Sequence, residues 1–247
     1  MIVGRPLATE FECPRCGARR AVDAGAVALC PSCLFAAALD DDGDDSEGDE
    51  APPFDVVTIL ARDGDAVTYL ARGFGSAEHV ALKIIDTPDV SVIIDRIRRW
   101  KTQLVSVRHA GLSRFLDAGR AGHSGVYVAT EYVPGPSLDY LLRGGTFDAT
   151  IRVEIARQVT DVVASLHAQG LAHMRIDTSR VKLRVSGGVY ATLLGVGSAL
   201  IVGGRPPQAA ADVDGLVELC RALGIELRPQ PYATIAEVRA ELQDAVA

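Results

Sequence analysis

Excess positive charge is absent from this sequence. Its 247 residues carry 25 lysines and arginines against 32 aspartates and glutamates, for a formal net charge of −7. Eight of the acids (Asp40, Asp41, Asp42, Asp44, Asp45, Glu47, Asp49 and Glu50) fall in one short run, which leaves the rest near neutral. A chain without a global basic field or a polybasic stretch gives no argument for binding nucleic acid or an anionic membrane surface. Met1 to Glu10 lacks the apolar core of a secretory signal, so a cytoplasmic location is expected. A spanning helix is missing as well. The uncharged run Val185–Gly204 reaches span length, but six glycines interrupt it and Gly187-Gly188 divides it into two strand-sized pieces.

Composition divides the chain into four parts: residues 1–39 with four of the five cysteines, an acidic linker over 40–53, and a mixed body that splits into 54–133 and 134–247. The linker's Asp, Glu, Gly, Ser and Pro cannot bury apolar surface, and their mutual repulsion predicts an extended spacer. With 48% hydrophobic residues, the body has the material for an ordinary core.

Strand-like runs open the body at Asp55 to Ala61, Ala66 to Arg72 and His79 to Ile85, joined by turns, which reads as an antiparallel meander. A helix is predicted from Ser91 to Val107, with Ile93, Ile97, Trp100, Leu104 and Val107 on one face. Strands fit Arg114 to Ala118 and Val126 to Tyr132. The longest helical pattern runs from Asp148 as N-cap to Gly170 as its stop, with Ile151, Ile155, Val159, Val162 and Leu166 inward. Short strands follow at Val181 to Val185 and Val189 to Leu194, then helices at Asp212 to Leu223 and Ile235 to Val246. Thr234 and Glu237 supply a capping box for the last.

Cys13-Pro-Arg-Cys16 and Cys30-Pro-Ser-Cys33 are two C-x-x-C pairs thirteen residues apart. Each pair can place two thiolates on one ion, and a tetrahedral zinc site needs two such pairs. Disulfides fit a cytoplasmic chain poorly. A redox dithiol would not be duplicated and would sit in a βαβ unit. A closed four-cysteine site builds structure and offers a surface, with no open coordination position for catalysis. Cys220 reads as a buried core thiol, His109 and His173 as structural histidines, and His79, His123 and His167 as surface residues.

Val80-Ala-Leu-Lys83-Ile-Ile, Arg108-His109 with Gly111-Leu112, Val128-Ala-Thr130-Glu131-Tyr132-Val133, Gly135-Pro-Ser-Leu138, Ser165-Leu166-His167 and Gly170-Leu-Ala-His173 follow one another in order. In this order they resemble the bacterial Ser/Thr protein kinases, over about Asp55 to Ala199. The resemblance implies an α+β, bilobal protein-kinase-like fold, trimmed because fifty residues follow Gly197, and preceded here by a small zinc ribbon. It makes Lys83 the candidate nucleotide or anion contact, and Glu131 and Val133 the candidate hinge.

Against the family's H-R-D-x-K-P-x-N, the loop reads His173-Met174-Arg175-Ile176-Asp177-Thr178-Ser179-Arg180, with Arg175 at the base position and Arg180 at the magnesium-binding amide, while a register bulged by two residues would offer Asp177 as the base. Gly195-Val196-Gly197 stands at D-F-G, and Trp100 stands where a carboxylate would pair with Lys83. One glycine, Gly64, remains in the phosphate turn, between Asp63 and Asp65.

These departures lead to the expectation of a pseudokinase, not an enzyme, that lacks the catalytic Asp and the magnesium ligands. It would act as a protein-interaction or regulatory scaffold, with structural zinc as cofactor and ATP not expected. Loss of distal helices should uncover apolar faces, to be covered by a second copy, the chain's own segments or a partner protein. The alternative is a nucleotide-binding or weakly active Ser/Thr kinase. Elemental analysis of the purified protein is expected to find one zinc per chain, with occupancy lost in Cys30→Ser; metal-free protein would refute the ribbon.

Overall fold

The computed structural model describes residues 9–12, 19–22, 54–73, 78–145, 147–229 and 231–244. Cys13, Cys16, Cys30, Cys33 and the acidic linker lie outside the described residues. Among the residues that precede the linker, strands β1 (Thr9–Glu12) and β2 (Arg19–Val22) pair antiparallel, with Glu12 opposite Arg19. The described body forms two compact units. One contains the described residues through Val90 with Gly119–Tyr127, and the other Ser91–Ala118 with the described residues from Val128 on.

The first unit is built on β3 (Phe54–Asp63), β4 (Ala66–Gly73) and β5 (His79–Asp86), an antiparallel meander. Its tight first turn places Asp63 opposite Ala66 and needs the left-handed backbone of Gly64, at φ 57°. Strands β6 (Phe115–Ala121) and β7 (Gly125–Glu131) complete a sheet of order β3-β4-β5-β7-β6. Alternation puts Val80 and Leu82 inside, and Ile85 near the strand end is buried as well. Phe54 meets the Tyr127 ring edge-on at 5.8 Å between centroids.

The second unit is mainly helical. It holds α1 (Val90–Ser106, from Ser91 on), α2 (Leu138–Gly144), α3 (Ala149–Ala168), α4 (Ser198–Ile201), α5 (Ala209–Ala222), α6 (Ile235–Asp244) and the hairpin β8 (Val181–Val185) with β9 (Val189–Leu193). Asp148 caps α3 by accepting from Thr150 N at 2.8 Å. The stripe Val153, Ile155, Ala156, Val159, Val162, Val163 and Leu166 is buried, and α5, α6 and β9 pack against this helix. Ile151 is only half-buried.

The chain's own last helices thus lie on the central helix. Arg239 on α6 reaches Asp161 on α3 at 2.9 Å, and Glu241 accepts from Arg228 N and Nε, both at 2.8 Å. The expected capping box forms with a shift: Thr234 Oγ1 accepts from Glu237 N at 3.4 Å, while Glu237 reaches Ala233 N at 2.8 Å, one residue earlier than the standard pairing.

Gln158 on α3 ties the hairpin to the helix. Its amide donates to Val189 O at 2.8 Å, and its oxygen accepts from Ala191 N at 2.7 Å, which satisfies strand-edge groups that would otherwise be orphaned. Within the supposed apolar span, β8, β9 and α4 replace any long helix. Among the described residues no helix is long and apolar enough to cross a membrane. Leu166 is fully buried, so Leu166→Ala is expected to lower unfolding free energy by about 2–5 kcal/mol in denaturant titration.

A candidate nucleotide site around the 173–180 loop

Gly170, at φ 71°, lets the chain leave α3 sharply, and Leu171, Ala172 and His173 are buried immediately after it. The loop then hangs on Asp212, at the start of α5, whose carboxylate is fully enclosed. Asp212 Oδ2 accepts from His173 N at 2.8 Å and from His167 Nε2 at 2.8 Å, and Oδ1 accepts from Met174 N at 2.5 Å. His167, expected at the surface, is therefore a partner of a buried charge. Asp212 carried only the faint sequence signal Asp212-Val-Asp214-Gly. Met174 takes φ 60°, a conformation that costs a non-glycine residue about 1 kcal/mol or more and is held by the surrounding hydrogen bonds.

His173 is 1% exposed, and its Nε2 donates to Leu194 O at 3.0 Å. Burial pushes its pKa below the ordinary 6.5, the Asp212 charge opposes that shift, and the Arg180 guanidinium reinforces it. Beyond it, Asp177 caps a short 3₁₀ turn, Thr178–Arg180, by accepting from Ser179 N at 2.9 Å, and also meets the Ser179 hydroxyl. Arg180 Nε lies 3.3 Å from Asp177 Oδ2, with the arginine side chain 17% exposed. Arg175 is exposed.

Leu194 N donates to Arg180 O at 2.8 Å, fixing the glycine turn against this loop. Gly195 and Gly197 have φ of 88° and 83°. A Cβ on Gly195 would lie 2.8 Å from Arg180 Nη1, and one on Gly197 would lie 2.7 Å from Leu104 Cδ1 of α1. Val196 between them is buried. On α1, Arg96 Nη1 donates to Val202 O at 3.0 Å and Ile201 O at 3.4 Å.

The structure brings His173, Arg180 and Gly195 together in the second unit. Glu131 and Val133 also belong there: Glu131 is ion-paired with Arg114 at 3.1 Å and its N–H donates to Arg114 O at 2.8 Å, and Val133 is half-buried. Lys83 belongs to the first unit, on β5 opposite Thr68, half-buried and engaged in an interaction of its own. Trp100 lies half-buried on α1. His109 is structural, its Nδ1 accepting from Gly111 N at 3.1 Å. Cys220 is buried, with its thiol pushed up to about 12 and therefore inert.

Kinases hold magnesium with a carboxylate and an amide oxygen. Positions 195 and 180 offer no side chain and a guanidinium, which cannot ligate a cation, so these residues do not fit the ion. No group of three or more His, Cys, Asp or Glu converges among the described residues.

With an antiparallel sheet in one unit and a helical unit built around a buried aspartate in the other, the chain has the protein-kinase fold. The kinase domain of Mycobacterium tuberculosis PknI aligns with a TM-score of 0.61 at 15% identity, over 82% of this chain and 100% of that one. Rad53 in complex with AMP-PNP aligns with a TM-score of 0.57 at 17% identity, over 76% of this chain and 53% of that one. Among curated proteins, CBL-interacting serine/threonine-protein kinase 13 of Arabidopsis thaliana is 29% identical over 146 residues, 58% of this chain and 29% of that protein. Serine/threonine-protein kinase ppk11 of Schizosaccharomyces pombe is 26% identical over 133 residues, 53% of this chain and 42% of that protein. The match thus spans well under half of these relatives' length. No family model matches the chain.

These relatives correct one expectation. Arg175, Arg180 and Gly195 had implied a chain that is not an enzyme, yet the proteins it resembles are named as Ser/Thr protein kinases, and the comparisons give no evidence of a lost catalytic aspartate. The physical reason is one of register: Arg175 falls at the base position only when the loop is read by motif spacing, and Asp177 stands two residues further along the same loop.

The His173 environment has a pH signature. A histidine whose folded pKa is depressed contributes stability that is intact above about pH 6.5 and is lost as pH falls through the folded value, because the unfolded chain takes up the proton first. Unfolding free energy is expected to decline below pH 6.5, with a shallower decline in His173→Gln; equal slopes would contradict the assignment.

Proposed function

We propose that the chain is a protein-kinase-like regulatory module whose output is the docking of another protein, with the zinc ribbon as a second docking surface. The observation that carries this reading is an open groove of about 590 Å³ lined by Tyr140, Leu141, Arg143, Gly144, Gly145 and Phe147. Tyr140 is 66% exposed there, a large apolar body with a polar tip of the kind enriched at interfaces. Arg143 is paired within its own helix to Asp139 in an exposed ion pair, which exchanges partners at little cost. A partner segment presenting an apolar side chain beside a carboxylate would match both. Docking and phosphoryl transfer are not exclusive on this fold.

The ribbon reading draws support from its topology, since the first C-x-x-C falls between two strands that pair antiparallel. The acidic linker would let both surfaces engage one assembly at raised effective concentration.

Nucleotide binding is a second reading, favoured by the similarity to kinases and to Rad53 in complex with AMP-PNP. Lys83, Glu131 and Val133 are its candidate contacts.

Tyr140→Asp is expected to leave the melting temperature within about 2 °C of the parent, since an exposed substitution changes stability little. The same substitution should abolish co-purification of a protein recovered with the parent chain from its host. Retained co-purification would remove the groove from the interface, and a concentration-dependent mass lost in Tyr140→Asp would identify the occupant as a second copy.

A further inference from the structure

We infer that the chain binds the polyphosphate of a nucleotide without a divalent cation, the Arg180 guanidinium taking the place that kinases give to magnesium. This rests on the nucleotide-binding reading above and specifies how that site neutralises charge.

The two magnesium positions have changed together, and in space they fit each other. A Cβ at residue 195 would stand 2.8 Å from Arg180 Nη1, closer than real Cβ contacts come, so a carboxylate-bearing side chain there and the present arginine position exclude each other. The guanidinium thus fills volume that the missing side chain would need. A site that would carry a negative group awaiting a cation carries instead a fixed positive one.

The arginine is also held in position. Its backbone N donates to Asp177 O at 3.1 Å, its carbonyl accepts from Leu194 N at 2.8 Å, and Asp177 Oδ2 lies 3.3 Å from Nε. The side chain is 17% exposed, so it is oriented by the protein without being sealed from solvent. Arg175, on the same loop, is exposed. Within residues 173–180 two guanidinium groups stand against one carboxylate, with the Asp212 carboxylate enclosed behind the loop. Guanidinium is permanently protonated, and its planar fork matches phosphate oxygens two at a time. In a kinase the metal bridges and neutralises the phosphate oxygens, and a prepositioned arginine supplies the same charge without dehydrating an ion.

The test is isothermal titration of the full chain with ATP, once with excess EDTA and once with magnesium. The expected result is binding in EDTA, with affinity changed less than about threefold by magnesium. Arg180→Gln is expected to weaken it about tenfold or more, a difference of about 1.4 kcal/mol. The double variant Arg180→Asn with Gly195→Asp, which restores oxygen donors at both positions, should bind ATP only when magnesium is present. Circular dichroism melts establish that each variant is folded, and the parent comparison with and without EDTA needs no variant at all. Binding that EDTA abolishes would overturn the inference and leave the nucleotide reading standing. No binding of ATP in either condition would end both. Unchanged affinity in a folded Arg180→Gln would also overturn the role given to this arginine.

Discussion

A carboxylate with no access to water is the constraint on which the second unit depends. Burying the charge of Asp212 costs several kcal/mol unless donors compensate it, and here two backbone N–H groups and a histidine converge on its oxygens. Those donors come from the end of α3 and from the loop that follows it, so the folded position of α5 dictates the path of residues 167–174. From there the order propagates through His173 to Leu194, and from Leu194 to Arg180. The strained backbone at Met174 is tolerated because its N–H is one of the donors.

Much of the architecture is legible in the sequence because burial imposes periodicity. The meander, the long helix beginning at Asp148, the β8–β9 hairpin and the last two helices emerge within a few residues of their observed bounds, since each has one face that must leave water. Short elements held by others leave no such trace. Helix α4 has four residues in a glycine-rich run, and the 3₁₀ turn at Thr178–Arg180 is a capping device. His167 reads as a surface residue because its partner lies 45 residues away in the sequence.

The candidate site was less legible than the fold. Alignment by motif identified which positions had changed but not that Arg180 and Gly195 occupy each other's space, a fact that exists only in three dimensions. It also tied inactivity to residue identity, which the similarity to named kinases does not support. The apolar face of the central helix is covered by one of the expected candidates, the chain's own segments: α5 and α6 pack on α3, with Arg239 and Asp161 fastening the outer helix. Identity to solved kinases of 15–17% alongside a shared fold shows that many different side chains are compatible with this backbone.

Arg96 has a consequence for cooperativity. Its guanidinium holds the carbonyls of Ile201 and Val202 across more than a hundred residues of chain, and Gly197 sits so close to Leu104 that a single methyl would collide. Helix α1 is therefore committed to the mainly helical unit, although it follows directly in sequence from the meander. Segments that share buried contacts and hydrogen bonds open together, so the boundary between the cooperative blocks of this protein follows the turn at Pro88 and Asp89 and also cuts β6 after Ala118 and β7 after Tyr127.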